Sequence, residues 1–150
     1  MKATHNEKID LKIVQQEIHS LLDKFHEAFK TWDIETVSNM MSEEMLYMGT
    51  DQTEVVDKYG FIKDATEFAR HLNQNLTYNI DKRIVRVYHD ANSATSIEEF
   101  FEPLFSKTMS YRMTVNWILE NDEWKMDFVN WGMITSNEQV MKIDEAMRNS

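Results

Sequence analysis

From Ile9 to Trp32 the apolar positions recur at spacings of three and four. Val14, Ile18, Leu21, Leu22, Phe25, Ala28, Phe29 and Trp32 form one broad stripe, the pattern of a helix with a single buried face. Lys12, Gln16, Asp23, Lys24, Glu27 and Lys30 fill the opposite face. Asp33 reads as the N-cap of a short second helix through Ile34, Val37 and Met40-Met41, with Glu35 in the first turn, where a carboxylate suits the dipole. Met45-Leu46-Tyr47-Met48 reads as a short strand ended by Gly49, followed by a loop over 50–54. Tyr59-Gly60 then opens a third helix, with a stripe of Phe61, Ala65, Phe68 and Leu72.

Beyond Thr77 the period falls to two. The pattern predicts strands over 77–88, 93–101, 110–120 and 123–135, with turn chemistry at His89-Asp90-Ala91-Asn92 and a hairpin at Asn121-Asp122. Ser136 or Asn137 starts a terminal helix, about 137–147, carrying Val140, Ile143 and Met147. Helices first and antiparallel strands last predict an α+β fold with the helices on one face of the sheet. No repeat or linker interrupts the chain, so residues 1–150 are read as one domain with its core over about 9–135. A two-residue turn at the hairpin would set Trp117 opposite Met126, Val115 opposite Phe128 and Met113 opposite Asn130 on the apolar surface. Arg112 with Trp131, Thr114 with Val129 and Asn116 with Asp127 would share the other surface, and a one-residue bulge would change these partners.

Composition narrows the function classes. The 150 residues include no Cys, which excludes disulfides, thiolate metal sites and a Cys nucleophile. Sixteen basic residues against 26 acidic ones give a net charge of −10, so nucleic acid and anionic membrane are poor partners. The opening residues lack the apolar run of a secretory signal, and no stretch approaches the roughly 20 apolar residues of a membrane span. A cytoplasmic protein is the expectation. Eleven Met with eight Phe, five Tyr and four Trp predict a bulky, adaptable interior.

Three local patterns carry a family resemblance: Trp32-Asp33-Ile34-Glu35 joining two helices, Gly49-Thr50-Asp51 with Glu54 and Tyr59-Gly60-Phe61, and Arg112-Met113-Thr114 followed by Asn121-Asp122-Glu123-Trp124-Lys125-Met126. In this order they resemble the nuclear transport factor 2-like superfamily, in particular its SnoaL-like branch, from about Ile9 to Thr135. The resemblance implies a cone-shaped α+β barrel, a strongly curved sheet wrapped on helices with a pocket at its open end. It also implies a homodimer, often formed through the convex sheet face, on which Trp131 is expected. Steroid-isomerase members use a Tyr on the first helix, an Asp ending the first strand and an acid on a late strand. Here those positions fall on Phe25, on or near Gly49, and on Thr114-Val115-Asn116-Trp117. The constellation is absent. Many SnoaL-like relatives place a His on the last strand, where this chain has Asn130, which orients a ligand through its amide and does not titrate.

Glu98-Glu99 is the remaining candidate for acid–base work, since adjacent strand residues point to opposite faces and one must face the helices. A carboxylate in an apolar cone could act as acid or base; the alternative is an inward Glu paired with Arg112 or reaching solvent at the rim. Phe25, Phe29, Tyr47, Phe61, Met113, Trp117, Phe128 and Asn130 are the expected pocket lining, suited to a small, flat, mostly apolar ligand. Asp51, Glu54 and Asp57 form an acidic loop, read as a cation site or as a solvated loop with local turn bonds. His5, His19, His26, His71 and His89 are expected at the surface or its edge. No metal is assigned. With no nucleotide-binding Gly loop either, a cofactor-free protein is expected, either binding a ligand, acting as a cyclase, isomerase or dehydratase through a pocket Glu, or serving as a dimerisation module.

Overall fold

The computed structural model describes residues 10–150; the expectation for His5 lies outside them. Asp10 accepts from Lys12 N at 3.0 Å and opens helix α1, Leu11–Lys30. Its stripe buries Ile18, Leu22, Phe25, His26, Ala28 and Phe29. The helix ends with Trp32 N donating to Phe29 O at 3.1 Å and Asp33 N donating to Ala28 O at 2.9 Å. This double bond pattern needs a left-handed residue just past the helix, and here that residue is Trp32, with φ of 59°. Asp33 then accepts from Thr36 N and caps α2, Ile34–Asn39.

Met41 belongs to strand β1, Met41–Met48, and not to the second helix as its apolar pattern suggested. The Met40 carbonyl accepts from Met126 N at 2.8 Å, so sheet pairing overrides helix propensity there. Val55–Asp57 forms a short strand, β2, beside β1. Three residues between a turn and a helix left too little pattern to predict it. Asp57 caps α3, Lys58–Leu72, by accepting from Gly60 N at 2.8 Å.

Strands β3 (Ile80–Val87), β4 (Ser93–Phe100), β5 (Ser110–Glu120) and β6 (Glu123–Ile134) complete one curved, unclosed sheet ordered β2-β1-β6-β5-β4-β3. Among the described residues only the β1–β6 pair is parallel. Strand β3 starts later than predicted because the preceding residues bond elsewhere: Leu76 N to Lys30 O at 2.9 Å, and Thr77 N to the buried Glu102 carboxylate at 2.8 Å. Helix α1 runs along β3, where Gln15 donates to Val85 O at 2.9 Å, and α3 packs on β1. Between helices and sheet lie the fully buried Phe25, Phe100, Met113, Val115, Trp117 and Met126.

The β5–β6 hairpin corrects the predicted register. Asn121 and Asp122 both take positive φ, 51° and 63°, as a two-residue turn of this hand requires. Trp117 faces Met126 as expected, but one extra residue on β6 breaks the register between Asn116 and Trp117. Beyond it Val115 pairs with Val129, Thr114 with Asn130, Met113 with Trp131 and Arg112 with Gly132. The odd residue is Asp127, whose carboxylate accepts from Ser42 on β1 at 2.8 Å. A one-residue bulge exchanges the two faces downstream of it. Val129 and Trp131 therefore turn inward, while Phe128 and Asn130 turn outward. The last helix, α4 (Asn137–Arg148), starts at a Ser136–Gln139 capping box and buries no residue.

Candidate functional site

A cavity of about 360 Å³ opens between the C-terminal end of α1, helix α3 and the sheet. Each wall comes from a different element. The end of α1 supplies Phe29 and the turn just past it Trp32, α3 supplies Phe61, Asp64, Ala65 and Phe68, and the sheet supplies Tyr47, Tyr111 and Trp131. Thr50 and Glu54 from the loop after β1, with Leu104 and Phe105 from the loop after β4, complete the mouth. The rings support one another: Tyr47 lies 4.8 Å from Phe61 and Trp131 lies 5.7 Å from Phe29, centroid to centroid. Trp32 is fixed by its Nε1 donating to Gln74 O at 2.9 Å, and by edge contact with Phe29 and Phe68.

The polar groups of the cavity are unequal. Burial raises the Tyr47 phenol well above its ordinary pKa, reinforced by the negative charges of Glu54 and Asp64. Tyr111 is raised for the same first reason and by Glu54. Both phenols stay protonated at neutral pH and can donate to a ligand. Glu54 is held by three loop bonds: Gly49 N to its carbonyl at 2.8 Å, its own N–H to Asp51 O at 3.0 Å, and Asp51 N to its carboxylate at 3.2 Å. Its side chain lies over Gly49 where a Cβ would stand, so the loop needs glycine there. Trp131 is 7% exposed, and its Nε1 is buried with no hydrogen-bond partner among the described residues.

A second polar cluster sits between α1 and the β3–β4 edge. Glu98 is 0% exposed and receives two partners, His26 Nε2 at 2.7 Å and Arg83 Nε at 2.8 Å. The other His26 nitrogen, Nδ1, is 2.7 Å from the Tyr78 hydroxyl. Arg83 continues to Asp23 at 2.7 Å on the helix surface. Burial opposes the Arg83 charge, but the bonds and charges of Asp23 and Glu98 outweigh it and its pKa is raised. Burial, then the negative charges of Glu98 and Glu102, hold the Tyr78 phenol far above its usual range. Every member of this chain of groups has a partner, which suits a clamp of α1 to the sheet.

Residues 18–129 match the family model of the SnoaL-like domain. The chain belongs to the SnoaL-like family. Similar solved structures carry the same fold at low identity. A nuclear transport factor 2-like protein of unknown function from Pseudomonas putida matches with a TM-score of 0.73 at 12% identity, covering 85% of this chain and 92% of that one. A domain of unknown function with a cystatin-like fold from Nostoc punctiforme gives 0.72 at 12%, covering 91% of both chains. A nuclear transport factor 2-like superfamily protein from Salmonella enterica gives 0.69 at 13%, covering 85% and 96%. No curated protein matches the sequence.

Within this SnoaL-like domain the predicted pocket residues divide three ways. Phe29, Tyr47 and Phe61 line the cavity. Phe25, Met113 and Trp117 are packed in the core away from it. Phe128 and Asn130 face outward, because the bulge at Asp127 exchanges the faces of β6. The same exchange brings Trp131 into the cavity and removes it from the convex face. Glu98 is the inward member of the Glu98-Glu99 pair, but its partners are His26 and Arg83, and Arg112 pairs with the outward Glu99 at 3.4 Å. From Trp131 Glu98 is two strands away, about 10 Å at ordinary strand spacing. His26 is 4% exposed and so is no surface histidine. The signal for it was its place on the stripe, four residues after Leu22 and three before Phe29. The acidic loop is divided among separate tasks: Asp51 accepts from Thr53 N and Oγ1, Asp57 caps α3, and Glu54 turns to the cavity. Among the described residues no three potential ligands converge as a metal site, and no helix is long and apolar enough to cross a membrane.

Proposed function

We propose that this SnoaL-like domain binds a small, mostly apolar molecule in the cavity between α1, α3 and the sheet. One observation carries the reading: eight aromatic side chains converge on an open space of about 360 Å³, inside the range of roughly 300–1,000 Å³ usual for small-molecule pockets. Tyr47 and Tyr111 would orient the ligand, with Thr50 at the mouth. The alternative of a cofactor-free cyclase, isomerase or dehydratase acting through Glu98 gains no support from the geometry. That carboxylate is saturated by His26 and Arg83 and is not among the cavity-lining residues. The test is native mass spectrometry of freshly purified protein, then denaturing analysis of any small molecule it carries. One organic species per chain supports the reading. An empty chain that also binds none of a panel of aromatic compounds contradicts it.

Self-association with a second copy is a further reading, supported by the outward face of the sheet. Ile84 pairs with Ile97 and Leu46 with Phe128 there, and Ile84 is 48% exposed. Sedimentation of wild type against Ile84→Glu tests it. A dimer weakened by the substitution supports the reading, and a wild-type monomer contradicts it.

A further inference from the structure

The charges around the cavity are all of one sign. Its lining contains Glu54 and Asp64 and no Lys, Arg or His. Neither carboxylate is in an ion pair among the described residues; Glu54 accepts one backbone N–H at 3.2 Å and Asp64 accepts none. Both act on the same point of the cavity, since both raise the Tyr47 phenol. The loop holds Glu54 there through a backbone bond and a glycine whose missing Cβ makes room for it. The same lining includes Trp32, Phe61 and Phe68, aromatic rings of the kind that attract cations through the ring quadrupole.

We infer that the ligand is an organic cation: a protonated amine or quaternary ammonium on an aromatic or otherwise apolar body. The body fills the aromatic interior, and the charged nitrogen sits at the mouth between Glu54 and Asp64. The net charge of −10 works in the same direction, since it raises the local concentration of cations. A carboxylate ligand of the same shape would meet two like charges and no counter-charge.

This inference rests on the cavity reading above, so the test separates the two. Three naphthyl probes of similar shape, 1-naphthylmethylamine, 1-naphthylmethanol and 1-naphthylacetate, are titrated by calorimetry into the full chain. The amine is expected to bind about tenfold more tightly than the alcohol, with the acid weakest, and its advantage should shrink in high salt. Asp64→Asn removes one charge at an exposed position with no hydrogen bond to lose, so the fold is safe; Glu54→Gln keeps an acceptor for Asp51 N. Each should lower amine affinity several-fold and leave the alcohol unchanged. Equal binding of amine and alcohol, or preference for the acid, overturns the cationic ligand while leaving the cavity reading standing. Binding of none of the three overturns the cationic inference and contradicts the cavity reading as well.

Discussion

Glu98 is buried between a histidine and an arginine, and that position decides what its mutants should do. Glu98→Ala leaves Arg83 to Asp23 and His26 to Tyr78, and breaking a buried pair costs about 3–5 kcal/mol. Chemical denaturation should register a loss of that size. Glu99→Gln, on the outer face beside Arg112, should cost under about 1 kcal/mol. Equal effects at the two positions would contradict the assignment of Glu98 as the clamp. The raised phenols give a pH test. Because the folded chain holds Tyr47 and Tyr78 protonated more tightly than the unfolded chain does, their contribution to stability is complete below the ordinary tyrosine value of about 10 and is lost as pH rises above it. Tyrosinate absorbance should therefore show these two ionising only together with alkaline unfolding. Free titration of all five tyrosines near the ordinary value, with the fold intact, would contradict their burial. At this scale the sequence was partly legible. Parity showed that one of two glutamates must point inward, but not which, and the partners of Glu98 come from 72 and 15 residues away along the chain. No local pattern encodes that meeting.

Elements were easier to read than the contacts between them. The first helix, its Asp33-capped successor and the last two strands are where their periodicity placed them, because amphipathic stripes and alternating strands record burial in the local order of residues. Two features escaped. Met40-Met41 looked helical because apolar residues carry no information about which partner will bury them, and β6 claimed their backbone. The bulge at Asp127 is one residue, yet it moved Phe128, Asn130 and Trp131 to the opposite faces from those expected. The extra residue makes a tertiary bond, Ser42 to Asp127, with a partner that the hairpin sequence does not contain. Helix α4 shows the reverse: its stripe and its cap at Ser136 or Asn137 predicted it correctly, but its apolar residues are unburied, Met147 being 71% exposed. Ending the chain at Thr135 should therefore lower the stability of the remaining domain by less than about 1 kcal/mol, within the range of surface changes. Loss of cooperative thermal unfolding in the shortened chain would mean that α4 is packed in solution. Gly49 tests the loop instead. Gly49→Ala drives a Cβ into the Glu54 side chain and should expel that carboxylate, lowering amine affinity about as much as Glu54→Gln does.

The molecule as a whole is a SnoaL-like domain with helices packed on a curved, unclosed six-stranded sheet. The interior divides into a packed half, around Phe25, Trp117 and the Glu98 clamp, and an open half walled by aromatic rings. Such a division gives one end rigidity and leaves the other free to hold a guest. Trp32 fits this picture: a bulky side chain kept at positive φ costs of order 1–3 kcal/mol, and it is retained where its ring forms the cavity wall. The superfamily could be recognised from three short patterns, whereas the cavity was legible only in part: Phe29, Tyr47 and Phe61 were expected to line it, but the lining as a whole is gathered from two helices, three strands and two loops that are far apart along the chain. Ala65, on the face of α3 toward the cavity, gives the most direct test of the central claim. Calorimetric titration of 1-naphthylmethylamine into wild type and Ala65→Trp, with circular dichroism to verify the fold, asks whether the cavity is the binding site. The account predicts one site per chain in wild type and none in the folded variant. Unchanged affinity in Ala65→Trp, or no binding to wild type, would contradict it.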